Sequence, residues 1–121
     1  MKFCWTTIHV NDMKKSLDFY QNVLNLEINR RIKPNDDREI VFLGSSETQV
    51  ELIQDAGFAD ISFGKDISLG FVVPSIEQFM KTLDEKKIPL ESGPFQPNPS
   101  IRFIYILDPD GLKIQLVEHL A

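Results

Sequence analysis

Cysteine, basic charge and long apolar runs are all scarce in this sequence. One cysteine, Cys4, stands among 121 residues, so no intrachain disulfide can form, a pattern that fits a reducing cytosol. Lys and Arg number 13 against 18 Asp and Glu, for a formal net charge of −5. A surplus of acid repels phosphate backbones and anionic bilayers, which excludes nucleic acid and membrane surfaces as main partners. No apolar run approaches the roughly 20 residues that span a bilayer. No secretory pattern precedes the first expected strand, so the expected location is cytoplasmic.

What remains is ordinary for a globular chain: 42% hydrophobic and 26% charged residues, with nine Phe and one Trp to furnish a core or an apolar pocket. A chain of this length buries roughly two-thirds of its extended surface, enough for one stable domain.

The pattern is written twice. Trp5-Thr6-Thr7-Ile8-His9-Val10 leads through Asn11-Asp12 into a helical spacing, and Arg38 to Ile53 then reads as strands. Ser68-Leu69-Gly70-Phe71-Val72-Val73 does the same through Pro74-Ser75, and Ile101 to Glu118 closes in the same way. In the first half, strands are expected at Phe3 to Val10, Leu26 to Ile32, Glu39 to Leu43 and Thr48 to Ile53. A helix from Met13 to Leu24 follows the N-cap Asp12, with Met13, Leu17, Tyr20 and Leu24 recurring on one side. Lys33 to Asp37 carries turn chemistry.

Residues 55–67 form the expected connector between modules 1–54 and 68–119. In the second half, Ser75 and Gln78 make a reciprocal cap pattern ahead of a helix whose inner side is Ile76, Phe79, Met80 and Leu83. Short strands are expected at Leu69 to Val73 and Leu90 to Ser92, and longer ones at Ile101 to Leu107 and Leu112 to Glu118. Gly93 to Pro99 holds three prolines, which excludes a central strand and suggests a loop over a pocket. Asp108-Pro109-Asp110-Gly111 is a turn, with Gly111 explained by turn geometry.

Each half therefore reads β-α-β-β-β, an α+β arrangement. The apolar face of each sheet must be buried on its helix, which leaves the other face to curl around a cavity.

Ile8-His9-Val10-Asn11-Asp12, the segment Ser16-Leu17-Asp18-Phe19-Tyr20-Gln21-Asn22-Val23-Leu24, the strand Val50-Glu51-Leu52 and the closing Asp108-Pro109-Asp110-Gly111-Leu112-Lys113-Ile114-Gln115-Leu116 resemble the vicinal oxygen chelate superfamily. That superfamily includes glyoxalase I, the bleomycin- and fosfomycin-resistance proteins and the extradiol dioxygenases. The resemblance implies paired βαβββ modules forming a curved mixed sheet around a cavity, usually in a homodimer. It also implies a divalent metal held by one residue from the first and one from the last strand of each half. A Lewis acid placed there binds vicinal oxygens and stabilises an enediolate.

Carried onto this sequence, those four positions read Trp5, Glu51, Ser68 and Gln115. An indole N–H cannot ligate, and an amide and a hydroxyl are weak donors. Transition-metal sites want three or four His, Cys or carboxylate groups, so a divalent metal is not expected and no other cofactor is implied.

Alternation along the fourth strand puts Gln49, Glu51 and Ile53 towards the cavity, opposite Val50 and Leu52. Glu51 is the candidate catalytic residue, because an isolated carboxylate is costly to bury without a use. The alternative is a rim carboxylate paired with Arg30, Arg31 or Lys113. Trp5, with Phe3 and Thr7, is expected on the cavity side as a stacking wall, and Tyr105 offers a second platform. Cys4 is expected on the helix side as a small buried hydrophobe. His9 and His119 read as hydrogen-bonding and terminal residues, and Arg30-Arg31 as a solvated pair on an edge strand, with anion binding the alternative.

The expected ligand-binding set is Trp5, Thr7, Gln49, Ser68, Gly70, Tyr105 and Gln115 around Glu51. The function that follows is binding of a small planar or apolar molecule at a degraded metal site. The alternative is lactoylglutathione lyase-like isomerisation of a 2-oxo compound, dependent on a metal or on Glu51 as base.

Overall fold

The computed structural model describes residues 1–46, 48–58 and 60–120. It divides into two compact units, Met1–Ser62 and Phe63–Ala121. The first contains β1 (Trp5–His9), a helix whose α-helical part α1 is Met13–Leu17, then β2 (Ile28–Asn35), β3 (Arg38–Leu43) and β4 (Gln49–Asp55). The second contains β5 (Ser68–Val72), α2 (Ile76–Glu85), β6 (Ser92–Asn98), β7 (Ile101–Leu107) and β8 (Lys113–His119). The sheets have orders β1-β4-β3-β2 and β5-β8-β7-β6, so the same α+β motif occurs twice. In each, the first strand runs parallel to the last and the other pairs are antiparallel.

Parallel neighbours need a crossover, and the helix supplies it. Both helices start as their sequences predict. Asp12 accepts from Lys15 N at 3.3 Å, and Ser75 accepts from Gln78 N at 3.2 Å. Each helix is also pinned by the last strand of its own unit: Gln54 Oε1 accepts from Met13 N at 2.6 Å, and Glu118 Oε1 from Ile76 N at 2.7 Å. These side chains take up N–H groups that have no partner inside the helix.

The first helix departs from regular spacing. After Leu17 it widens into a π-helical segment, Asp18–Val23, with Leu24 N bonded to Phe19 O at 3.1 Å. Phe19, Tyr20 and Val23 are all buried in this segment. Each sheet packs one face on its helix: Ile8, Val41, Leu43 and Leu52 in the first unit, Ile104, Ile106, Ile114 and Leu116 in the second, none above 3% exposed.

Several expectations need correction. The turn placed at Lys33 to Asp37 is shorter: β2 continues through Pro34 to Asn35, and Asp36-Asp37 alone reverse the chain. Gly93 to Asn98 is not a loop but most of β6. Its prolines are tolerated because β6 is an edge strand paired only with β7, through two register shifts. Cys4 is exposed rather than buried, because β1 begins at Trp5 and the alternation that buries Ile8 does not reach back to it. His119, expected as a terminal residue, is the last residue of β8 and is paired with Ile101 of β7. The Asp108–Gly111 turn is as expected: Asp108 Oδ1 accepts from Asp110 N and Leu112 N, both at 2.9 Å, and Gly111 has φ +90°.

One core position carries an unmet cost. Ser16 is fully buried, and among the described residues its hydroxyl has no hydrogen-bond partner. Ser16→Ala removes that desolvated group, and an unsatisfied buried hydroxyl costs about 1 kcal/mol or more. The variant is predicted to melt about 4 °C higher by calorimetry, and a lower melting temperature would show that the hydroxyl is satisfied.

Candidate functional site

The side of each sheet turned away from its helix is open, and the register lists what stands on it. In the first unit Thr7 is paired with Glu51, Glu51 with Phe42, and Phe42 with Arg30, so these four form one row across all four strands. Trp5 is paired with Gln49 in the neighbouring row. In the second unit the matching row is Gly70, Gln115, Tyr105 and Ser92, with Ser68 beside Lys113. The structure therefore places Trp5, Thr7, Gln49 and Glu51 together on one open face, and Ser68, Gly70, Tyr105 and Gln115 together on the other.

On the first face, Thr7 Oγ1 donates to Glu51 Oε1 at 2.5 Å. This is the partner Glu51 takes. Arg31 bonds Glu39 at 2.8 Å instead, and no ion pair reaches Glu51 from Arg30 or Lys113. Trp5 is 44% exposed and meets buried Phe42 edge-on, with ring centroids 5.1 Å apart. Arg30 lies over the same Phe42 ring, 4.6 Å from its centroid. Trp5, Asn29, Arg30, Phe42 and Gln49 line a hollow of about 230 Å³. Ligand cavities run to about 300–1,000 Å³, so this hollow takes a single planar ring system or one end of a larger ligand.

On the second face, Gln115 Nε2 donates to the Tyr105 hydroxyl at 3.3 Å, and Lys113 Nζ lies 4.9 Å from the Tyr105 ring centroid. Phe95 and Phe103 complete an aromatic cluster, with centroid distances of 5.5 to 6.4 Å. Gly70 leaves Gln115 uncovered; a Cβ there would sit 3.4 Å from Gln115 Oε1. His9 packs on Phe58 at 4.2 Å near the end of the first face. A roomier groove of about 600 Å³ lies on the helix side of the second unit, at Met80, Ile88, Leu90 and Arg102. It includes none of the candidate site residues on the two open faces.

Phe42, Phe95 and Phe103 were not anticipated, and Lys113 was anticipated only as an ion-pair partner of Glu51. Phe42 was legible in principle, since alternation along Glu39 to Leu43 sets it opposite Val41. Lys113 needed the register of β8 against β5.

A family profile described as the Glyoxalase/Bleomycin resistance protein/Dioxygenase superfamily matches residues 2–116. The chain belongs to this superfamily. It is 28% identical to a probable lactoylglutathione lyase of Synechocystis sp., over 93% of this chain and 92% of that protein. Among solved structures, a superfamily member from Sphaerobacter thermophilus is 27% identical with a TM-score of 0.78, covering 98% of both chains. The trypanothione-dependent glyoxalase I of Leishmania major shares the fold, with a TM-score of 0.82 at 22% identity over 98% of this chain and 86% of its own.

The superfamily implies a divalent metal, and the donor chemistry can be compared with that need. The first face offers one carboxylate, Glu51, with a hydroxyl and an amide beside it; the second offers an amide, a hydroxyl and a phenol. Among the described residues no three His, Cys, Asp or Glu side chains gather at a point. These donors do not fit a transition ion, which wants three or four imidazole, thiolate or carboxylate ligands. Titration calorimetry with zinc or nickel is therefore expected to give no saturable binding, and one ion per chain, lost in Glu51→Gln, would contradict this.

Proposed function

We propose that this superfamily member binds a small planar or apolar molecule on the open face of its first sheet, without a divalent metal. The observation that supports this most is the half-exposed Trp5 standing against Phe42 beside the Glu51–Thr7 hydrogen bond. An exposed indole on a rigid strand offers a stacking surface at little entropic cost. Glu51 and Gln49 then supply acceptor and amide groups to orient what stacks there. Ser68, Gly70, Tyr105 and Gln115 give the second unit its own polar and aromatic patch for a ligand. The proposed setting is a cytoplasmic homodimer. No helix among the described residues is long and apolar enough to cross a membrane, and Phe3, Val72 and Leu107 present exposed apolar surface.

A second reading is lactoylglutathione lyase-like isomerisation, favoured by the Synechocystis relative. Here Glu51 would take the proton from the hydroxyl-bearing carbon beside a carbonyl and return it to the carbonyl carbon, while the hydroxyl proton passes to the former carbonyl oxygen, with Thr7 holding the carboxylate in place. If methylglyoxal–thiol adducts are not turned over with or without added divalent ions, this reading is rejected.

The binding reading is tested by a thermal-shift screen of planar molecules. A true ligand at about 100 times its Kd stabilises by about 2.7 kcal/mol. Trp5→Leu is predicted to weaken the best hit about fivefold, the worth of one aromatic contact. Equal affinity in the variant would remove Trp5 from the site.

A further inference from the structure

Two adjacent arginines on β2 do different things. Arg31 faces the helix side and is bound to Glu39 at 2.8 Å. Arg30 faces the open side, lies 4.6 Å over the Phe42 ring, and among the described residues has no hydrogen bond or ion pair.

What puts Arg30 there is a break in the register. Ile28 is paired with Leu43, which is fully buried on the helix side, and Arg30 is paired with Phe42 on the open side. Residues two apart on a regular strand share a face. The irregularity between Ile28 and Arg30 inverts that, and Asn29, at the break, is anchored by its side-chain N–H to Gly44 O at 3.0 Å. Bulges of this kind re-aim side chains and concentrate next to binding sites. A cation set on an aromatic ring, beside an exposed indole and a hollow of about 230 Å³, is charge without a counterion in a chain that is acidic overall. The second unit also sets a cation on an aromatic ring, with Lys113 over Tyr105 and, among the described residues, no acid bonded to it.

We infer that the ligand of the first open face is a planar anion, an aromatic ring system bearing a carboxylate, which stacks on Trp5 and sets its charge against Arg30. This rests on the binding reading above and narrows it to a chemical class. Guanidinium meets carboxylate with two parallel N–H donors, so a neutral amide of the same shape is the natural contrast. Glu51, on the same row, disfavours a second negative group and leaves the uncharged end of the ligand to donate to it.

The experiment uses 1-naphthoate and 1-naphthamide, with quenching of the fluorescence of Trp5, the single tryptophan. Naphthoate is expected to bind about fivefold tighter than the amide, the scale of one partly solvated ion pair, and added salt should shrink the ratio. Arg30→Gln should bring the ratio to about one, and Arg30→Lys should restore part of it. Arg31→Gln, with the same charge removed from the opposite face, should keep it. Equal affinity of both probes in the unaltered protein, or an equal loss of the ratio in Arg31→Gln, would overturn the inference and leave the binding reading standing. Absence of binding by both probes would sink the two together.

Discussion

Everything on the open faces depends on the parallel pairing of the first strand with the last in each unit. That pairing is non-local: in each unit the chain crosses over through the helix and then forms the two middle strands before the last strand returns beside the first. It sets Trp5 beside Gln49 and Thr7 beside Glu51 in the first unit, and Gly70 beside Gln115 in the second. The Gln54 and Glu118 bonds to the helix N-termini hold the crossover and the last strand together. The pairing of polar groups is therefore a product of the same contacts that close the core.

Strand alternation then divides the labour. Val50 and Leu52 are buried against the helix while Glu51 between them stands on the open side. The same rule applies to Ile114, Gln115 and Leu116. A sheet with one face packed and the other free can vary its free face without losing its fold. Here an indole stands where a metal ligand would be expected, and the aromatic and cationic groups around it favour stacking and charge recognition over Lewis-acid chemistry.

The duplicated βαβββ order, both helix starts and the sides taken by Trp5, Thr7, Gln49 and Glu51 were legible because they follow from period-two and helical spacing and from capping chemistry. Three features were not. The π-helical turn after Leu17 leaves no mark in the helical spacing of the sequence. β6 was hidden by its prolines, which forbid a central strand but not an edge strand. The face taken by Arg30, and so its separation from Arg31, was hidden most deeply, because an irregularity near Asn29 reverses the face that alternation assigns. Superfamily membership accounts for the architecture, while the proposed choice of ligand rests on the last of these local departures.

The proposed working surface of the first unit is its open face, centred on Trp5. Amide chemical-shift mapping during titration with 1-naphthoate tests it most directly. Shifts concentrated at Trp5, Thr7, Arg30, Phe42 and Glu51 are expected. Shifts centred on the helix-side groove at Met80, Ile88 and Leu90, with the open face silent, would contradict it.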